Sequence, residues 1–422
     1  MTNIEVKKER AALAGLSAAC FAENERSSEV SMAELAALVE TAGGESVAWL
    51  IQNRATPDPR SFIGDGKVQE LREIIEANEC TLAVFDNELS PSQMRVLSEE
   101  LKVKVLDRSG LILDIFAQRA RTKEGQLQVE LAQYKYLLPR LLGMWTHLER
   151  QEGAIGTRGP GETQLESDRR HIRRKIQKLE EELAEVRKVR GVQRRRREKN
   201  EMPVIALVGY TNAGKSTLLN CLTGSDIPAN NRLFDTLDTT TRRMKIDEVQ
   251  EVLLSDTVGF IRKLPHHLVE AFKATLEELS YADVLLHVID LSNPVWVAQA
   301  EVVDSLIVSL GAEQTPCIRV YNKCDAYIGD LPRGENTVCI SARTGEGTDE
   351  LLKKISEILG RSKHRAKFCI PYSEGKLVEL IHREASVIST DYDERGTVIE
   401  AVVKADLWGK IKTYVLKEDE EE

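Results

Sequence analysis

Gly209-Tyr210-Thr211-Asn212-Ala213-Gly214-Lys215-Ser216 follows the apolar run Val204 to Val208 and precedes a helical stretch that begins at Thr217. Strand, GxxxxGKS and helix in that order form a phosphate-binding loop. Its backbone N–H groups wrap phosphate oxygens, and its glycines let the chain come close. Lys215 supplies a point charge to the β and γ phosphates, and the Ser216 hydroxyl is suited to ligate Mg²⁺. About a hundred residues later Asn322-Lys323-Cys324-Asp325 ends the apolar run Cys317 to Tyr321. A carboxylate at Asp325 can accept from both N1–H and the 2-amino group of guanine. Adenine offers neither donor and would leave the carboxylate unpaired. The two motifs together predict a site for GTP and GDP.

Two further segments fall where such a nucleotide needs them. Asp256-Thr257-Val258-Gly259 ends another apolar run. Asp256 can hold the metal through water, and the Gly259 N–H can reach a γ-phosphate. Phe234-Asp235-Thr236-Leu237-Asp238 lies between the phosphate loop and Asp256, in the place of a first switch loop. A threonine hydroxyl from this region is the expected second protein ligand of Mg²⁺. Thr236, Thr239, Thr240 and Thr241 compete for that role on residue type alone. Ser341-Ala342-Arg343 follows the last strand and suits a backbone contact to the guanine oxygen. Where Ras-like GTPases carry a water-orienting glutamine, this chain has Phe260, whose ring cannot hydrogen-bond water. Slow intrinsic hydrolysis is expected, with the missing group supplied from elsewhere. Phe260 can at the same time be a core residue. The Asn212 amide can ligate a monovalent cation such as K⁺ beside the phosphates or simply brace the loop.

Net charge is −10 over 422 residues, so the whole molecule is no generic polyanion binder. Between Asp168 and Asn200, however, fourteen Lys or Arg stand against six Asp or Glu, and Arg194 to Arg197 is unbroken. Such a concentrated excess favours a polyphosphate partner over a merely solvated helix face. The stretch has no aromatic residue, so the contact should be to phosphates and shape rather than to stacked bases. Seven scattered cysteines form no CxxC pair, which argues against a zinc site or a disulfide framework. No apolar run approaches the length of a membrane span, and the opening residues do not read as a secretory signal. The cytoplasm is the expected compartment, and a monomer the expected free state.

A chain of this length suggests about three domains. Residues 1–112 read as a small parallel α/β domain, with helices over Ser31–Thr41, Val68–Ala77 and Gln93–Leu101. Its strands are expected at Val47–Ile51, Leu82–Phe85 and Val103–Leu106. The turn Phe62-Ile63-Gly64-Asp65-Gly66-Lys67 suggests either an anion site at a helix start or a loop that needs positive φ. Residues 113–200 read as a helical hairpin, with one helix over Leu127–His147 and a glycine-rich interruption over Gly153–Gly161. A capping box at Thr163 and Glu166 restarts a helix whose Ile172, Ile176, Leu179, Leu183 and Val186 keep heptad spacing. Residues 201–361 read as the nucleotide-binding α/β domain. Within it, helices are expected over His267–Leu279, Trp296–Leu310 and Thr348–Leu359. Arg361 to Lys367 reads as a basic linker, and residues 362–422 as a small α+β domain with an acidic tail.

With these residues in view, the chain resembles the HflX family of translation-factor-related GTPases over nearly its whole length. Besides the nucleotide motifs, the resemblance rests on Asp107 to Ala120, Leu127 to Gln133 and Gly156 to Glu166. It implies that Thr236 is the Mg²⁺ threonine. Thr239 stands where the family usually has proline, which would loosen the switch loop without removing the ligand. Cys324 stands where an aliphatic residue is usual. The resemblance also implies binding to the large ribosomal subunit and its rRNA, with the Gly153–Gly161 loop reaching toward the peptidyl-transferase region. In some members it implies splitting of stalled or idle ribosomes under stress. The rival readings are a GTPase assisting RNA modification or ribosome assembly, and a non-hydrolysing RNA-binding scaffold.

Overall fold

The structure is a computed structural model that describes residues 8–22, 25–144, 160–199, 202–226, 232–237, 239–246, 251–264, 279, 281–361 and 363–416. The first layer alternates β1 (Arg10–Ala18), α1 (Glu29–Thr41), β2 (Glu45–Arg54), α2 (Asp65–Ala77), β3 (Leu82–Phe85), α3 (Pro91–Leu101) and β4 (Lys104–Asp107). The strands stand in the order β2-β1-β3-β4, all parallel. Ser28 caps α1, and Ser90 with Gln93 closes a capping box ahead of Pro91 in α3. The sequence reading passed over β1. Its alanine-rich Arg-Ala-Ala-Leu-Ala-Gly-Leu-Ser-Ala has little intrinsic strand preference, yet it is buried almost throughout between two neighbours. The Phe62–Lys67 turn does carry a positive φ, though not at a glycine. Gly64 caps α2 at an ordinary φ of −69°, and the Lys67 ammonium pairs with Glu70. The positive φ, 65°, belongs to Phe62.

Three helices follow: α4 (Arg108–Arg119), α5 (Lys123–Met144) and α6 (Pro160–Lys199). The last begins at Pro160, ahead of the expected restart at Thr163, because proline suits a first helical turn. Leu127 and Leu131 of α5 meet Leu179 and Leu183 of α6, with Ile176 and Val186 beside them. Lys135–Glu180 and Lys175–Glu130 ion pairs flank this seam. Residues 153–159 of the glycine-rich loop lie outside the described residues.

The next sheet has six strands in the order β10-β9-β8-β5-β7-β6. These are β5 (Val204–Gly209), β6 (Thr240–Lys245), β7 (Glu251–Asp256), β8 (Val284–Asp290), β9 (Cys317–Asn322) and β10 (Thr337–Cys339), with helices α7 (Lys215–Thr223), α8 (Trp296–Ser309) and α9 (Thr348–Arg361). All pairings are parallel except β6 with β7. β6 was not expected, because Thr-Thr-Arg-Arg-Met-Lys shows no apolar run. It is an edge strand that gets its order from β7. The helix expected over His267–Leu279 lies outside the described residues, apart from Leu279. The last layer is β11 (Lys363–Ile370), α10 (Gly375–Glu384), β12 (Ser386–Asp393), β13 (Gly396–Lys404) and α11 (Ala405–Ile411), with an antiparallel sheet in the order β11-β13-β12. Most of the expected basic linker is therefore strand β11. The acidic tail, 417–422, lies outside the described residues. The whole is an α/β architecture with a small α+β unit at its end, as the sequence led one to expect.

One apolar cluster runs without a break from α1, α4 and α5 into the β5–β8 region, joining Phe116 and Val129 to Tyr210, Phe234, Val258 and Phe260. The α5–α6 seam is a separate and much narrower cluster. Leu183→Ala should accordingly cost about 2 kcal/mol, the lower end for a buried leucine. The loss should appear as faster amide hydrogen exchange in α6, with protection in β5 and β8 unchanged. Equal exchange in α6 of variant and parent would show that the seam does not hold the hairpin.

Candidate functional site

The site forms where β5, β7 and β9 end on one side of the parallel sheet, the place at which open α/β sheets bind ligands. β5 runs into the phosphate loop at Gly209, where a side chain would sit 2.3 Å from the Val288 carbonyl oxygen. The loop turns into α7 through Gly214, at φ 92°. A Cβ there would meet the Asn322 amide at 2.3 Å. Both glycines are thus fixed by close approach. The Lys215 ammonium folds back inside the loop and donates to the carbonyls of Gly209 (3.1 Å) and Tyr210 (2.9 Å). Burial pulls Lys215 down to about 8, with Asp256 opposing. An anion entering this loop would favour the charged ammonium.

Below the loop three oxygen donors converge. Ser216 Oγ lies 2.8 Å from Thr236 Oγ1 and donates to Asp256 Oδ2 at 2.7 Å. Of the four threonines that competed on residue type, Thr236 is the one brought to this point. Asp256 is 1% exposed, and its Oδ1 is buried without a hydrogen-bond partner. Burial raises the Asp256 carboxyl from its ordinary value, with Lys215 opposing. An orphaned carboxylate oxygen beside two hydroxyls fits a hard divalent cation such as Mg²⁺. Ser216 and Thr236 could ligate it directly, and Asp256 through water. Gly259 lies against Thr211, with a Cβ placed only 2.8 Å from the Thr211 Cα. Thr211, Asn212, Asp235 and Arg232 line the same pocket. Arg232 escaped the sequence reading because it belongs to no motif.

The base-side loop is braced to the phosphate loop by Asn322. Its amide donates to the Ala213 carbonyl at 2.9 Å, and its Oδ1 accepts from the Ala342 N–H at 2.9 Å. Its side chain is a strut between the two loops. Lys323, at φ 62°, donates to the Asn212 carbonyl at 3.1 Å and pairs with Asp290 at 2.7 Å. Asp290 is a second residue that the motif reading missed. Asp325 accepts from Arg343 at 2.6 Å. A hydrogen bond from Ser341 and then the Arg343 charge hold its carboxyl below the ordinary value. It is ionised and ready to accept. Cys324 is half-buried against the cluster of Ile289, Leu291 and Tyr321. The Ser341 and Ala342 N–H groups are spent on Glu346 and Asn322. Of that turn, Arg343 is left to donate to a ligand.

Several residues expected at the nucleotide turn their side chains away from it. The Tyr210 hydroxyl donates to Glu34 of α1 at 2.7 Å and accepts from the Arg262 N–H at 2.8 Å. Phe234 packs edge-on against Phe116 of α4, centroids 4.7 Å apart, while its N–H donates to Thr211 Oγ1. Leu237 and Val258 are buried in the same apolar cluster. Thr257 Oγ1 donates to the Leu207 carbonyl at 2.6 Å. These five can serve a nucleotide only through their backbone. The Phe260 ring is buried as well, and its backbone forms a short bridge to Tyr210. Asp238 lies outside the described residues. Among the described residues no helix is long and apolar enough to cross a membrane.

Comparison with known proteins finds relatives over most of the chain. The family described as "GTP-binding GTPase N-terminal" matches residues 29–117, and "GTP-binding GTPase Middle Region" matches residues 119–197. "50S ribosome-binding GTPase" matches residues 204–323. The GTPase HflX of Caldanaerobacter subterraneus is 47% identical over 389 residues, covering 92% of this chain and 91% of that protein. The GTPase HflX of Escherichia coli is 44% identical over 372 residues, covering 86% and 87%. Among solved structures, a GTP-binding protein from Sulfolobus solfataricus in complex with GDP is 26% identical, with a TM-score of 0.44 over 84% of this chain and 99% of that one. The chain belongs to the HflX family of GTPases and carries that family's GTP-binding domain.

Proposed function

We propose that this protein is a Mg²⁺-dependent GTP-hydrolysing switch that associates with the large ribosomal subunit in the cytoplasm and splits or rescues ribosomes under stress. The observation that carries the hydrolytic part is the convergence of Ser216, Thr236 and the orphaned Asp256 carboxylate beneath Lys215. A scaffold that merely held GTP would not need a loop threonine in that place. Mg²⁺ held there would offset charge on the β and γ phosphates. Lys215 adds a second positive charge, and the Gly259 N–H donates to the γ-phosphate. Asp325 selects the base and Arg343 closes over it. The buried Phe260 ring holds no water, so hydrolysis awaits a group from the partner. The partner reading is supported by the family description "50S ribosome-binding GTPase" and by the basic charge of α6. The divisions at residues 112, 200 and 361 mark the proposed working parts.

Asp325→Asn should weaken GTP binding by at least about thirtyfold, the loss of a charge-assisted bidentate pair. It should also gain affinity for xanthosine triphosphate, whose base offers an acceptor at the 2 position. Titration with both nucleotides decides this, and equal GTP binding by variant and parent would sink the base assignment.

Large ribosomal subunits should stimulate GTP turnover at least tenfold, on the order of the gains that activators give incomplete GTPase sites. Co-sedimentation with subunits, in a non-hydrolysable GTP analogue, should weaken steeply with salt. Reversing the charges of Arg194 to Arg197 should reduce co-sedimentation and leave GTP affinity unchanged. Normal binding by that variant would mean that the basic run is only a solvated face.

Asn212 lines the phosphate pocket at φ 62°. If its amide oxygen holds a monovalent cation there, K⁺ should speed hydrolysis more than Na⁺ at equal ionic strength, and Asn212→Ala should lose the difference. Identical rates in the two salts would leave Asn212 as a brace.

A further inference from the structure

Lys263 stands four residues beyond Gly259, yet its ammonium is buried in the amino-terminal layer. It pairs with Asp86 at the end of β3, and the Lys263 side chain is 9% exposed. Asp86 also accepts from Arg108 at 2.8 Å and from Ser27 at 2.7 Å. Arg108 in turn pairs with Glu34, whose other oxygen accepts from the Tyr210 hydroxyl. Asp86 and Glu34 are balanced by Arg108 and Lys263, so the buried group is neutral only when Lys263 is in place. Without it the amino-terminal layer would bury one uncompensated negative charge, which is costly. Burial pushes the Asp86 carboxyl up, but Arg108 and Lys263 outweigh it and hold it down at about 2. Lys263 itself sits at φ 54°, a left-handed value uncommon for lysine. The position of the segment after Gly259 is thus tightly set by a pocket on another layer.

The same layer grips the other loop of the site. Phe116 packs on Phe234, and Arg119 pairs with Asp235 at 3.4 Å. These two residues lie directly before Thr236, whose hydroxyl has converged with Ser216. The amino-terminal layer therefore holds the neighbours of both groups that would sense a γ-phosphate. In the arrangement it holds, Thr236 meets Ser216 and lines the phosphate pocket together with Gly259. A surface complementary to that arrangement must bind it better than an open one, and linkage makes the effect reciprocal.

We infer that the amino-terminal domain is an internal reader of nucleotide state. It docks on the closed form of both loops, through Lys263 in the Asp86–Arg108–Glu34 pocket and through Phe234 and Asp235 on α4. GTP tightens the docking and GDP loosens it, and docking in turn raises the preference for GTP over GDP. The inference rests on the nucleotide assignment made above and goes beyond it.

The test compares full-length parent, Lys263→Met and Arg119→Ala. Each is titrated with GDP and with a non-hydrolysable GTP analogue in Mg²⁺, and amide exchange in α1 and α4 is followed in both states. Lys263→Met leaves Asp86 paired with Arg108 but carries the cost of the lost charge, so its fold is checked by amide exchange in β5 and β8. Arg119 lies at the rim with a side chain 23% exposed, and Arg119→Ala, which keeps the fold, tests the inference by itself. In the parent, α1 and α4 should exchange more slowly with the GTP analogue than with GDP. Lys263→Met should lose about tenfold of the analogue-over-GDP affinity ratio, within the usual range of coupling between sites. It should also lose the nucleotide dependence of exchange, and Arg119→Ala should shift both readouts in the same direction by less. A parent that bound neither nucleotide would overturn the site assignment and this inference together. A parent that binds both, with unshifted ratios in the variants, overturns the inference alone. A ratio shifted toward GTP would show that the domain opposes the closed form, which overturns it equally.

Discussion

Tyr210 carries the constraint on which the molecule turns. Its backbone belongs to the phosphate loop, where its carbonyl accepts from Lys215. Its ring belongs to the apolar cluster shared with α1 and α4, and its hydroxyl bridges Glu34 and the Arg262 N–H. Burial, reinforced by the nearby Glu34 carboxylate, drives the hydroxyl well above the ordinary tyrosine range, so it stays a neutral donor. The loop cannot move without disturbing a buried hydrogen bond to another layer. That layer cannot tilt without pulling on the chain that follows Gly259. An apolar contact would give adhesion. A buried chain of charge-assisted bonds adds geometry, because each member left unpaired would carry a desolvation cost.

The motifs were legible in the sequence because they constrain backbone. Gly209 and Gly214 are demanded by close approach, and GxxxxGKS reports that demand directly. Thr236 was one of four candidates on residue type; the family resemblance pointed to it, and the fold brings it to Ser216. Strands β1 and β6 were missed for opposite reasons. The first is alanine-rich and is ordered by burial between neighbours, and the second is polar and is ordered by one partner edge. The side-chain directions of Tyr210 and Phe234 could not be read. Their partners, Glu34 and Phe116, come from a layer far away in sequence, the first of them 176 residues distant. Local spacing carries no trace of such contacts. The bracing by Asn322 could not be read either, because it joins loops 109 residues apart.

Phe260 shows how these demands compete. The position after Gly259 is where a water-orienting side chain would stand, and it must then face the phosphate. In this chain the backbone of Phe260 bridges to Tyr210, and its ring lies in the cluster that joins the two layers. One residue cannot both fill an apolar junction and hold a water at the γ-phosphate. A glutamine turned inward would bury an amide among Val258, Ile261 and Phe234, an environment short of partners, while one turned outward would leave a void where the ring now packs. The sequence has given this position to the junction. On the proposed reading, the domain coupling and the slow intrinsic hydrolysis are then two consequences of one side chain. On the same reading the group that completes hydrolysis arrives from a surface outside the junction, at the pocket that Arg232 and Asn212 help to line.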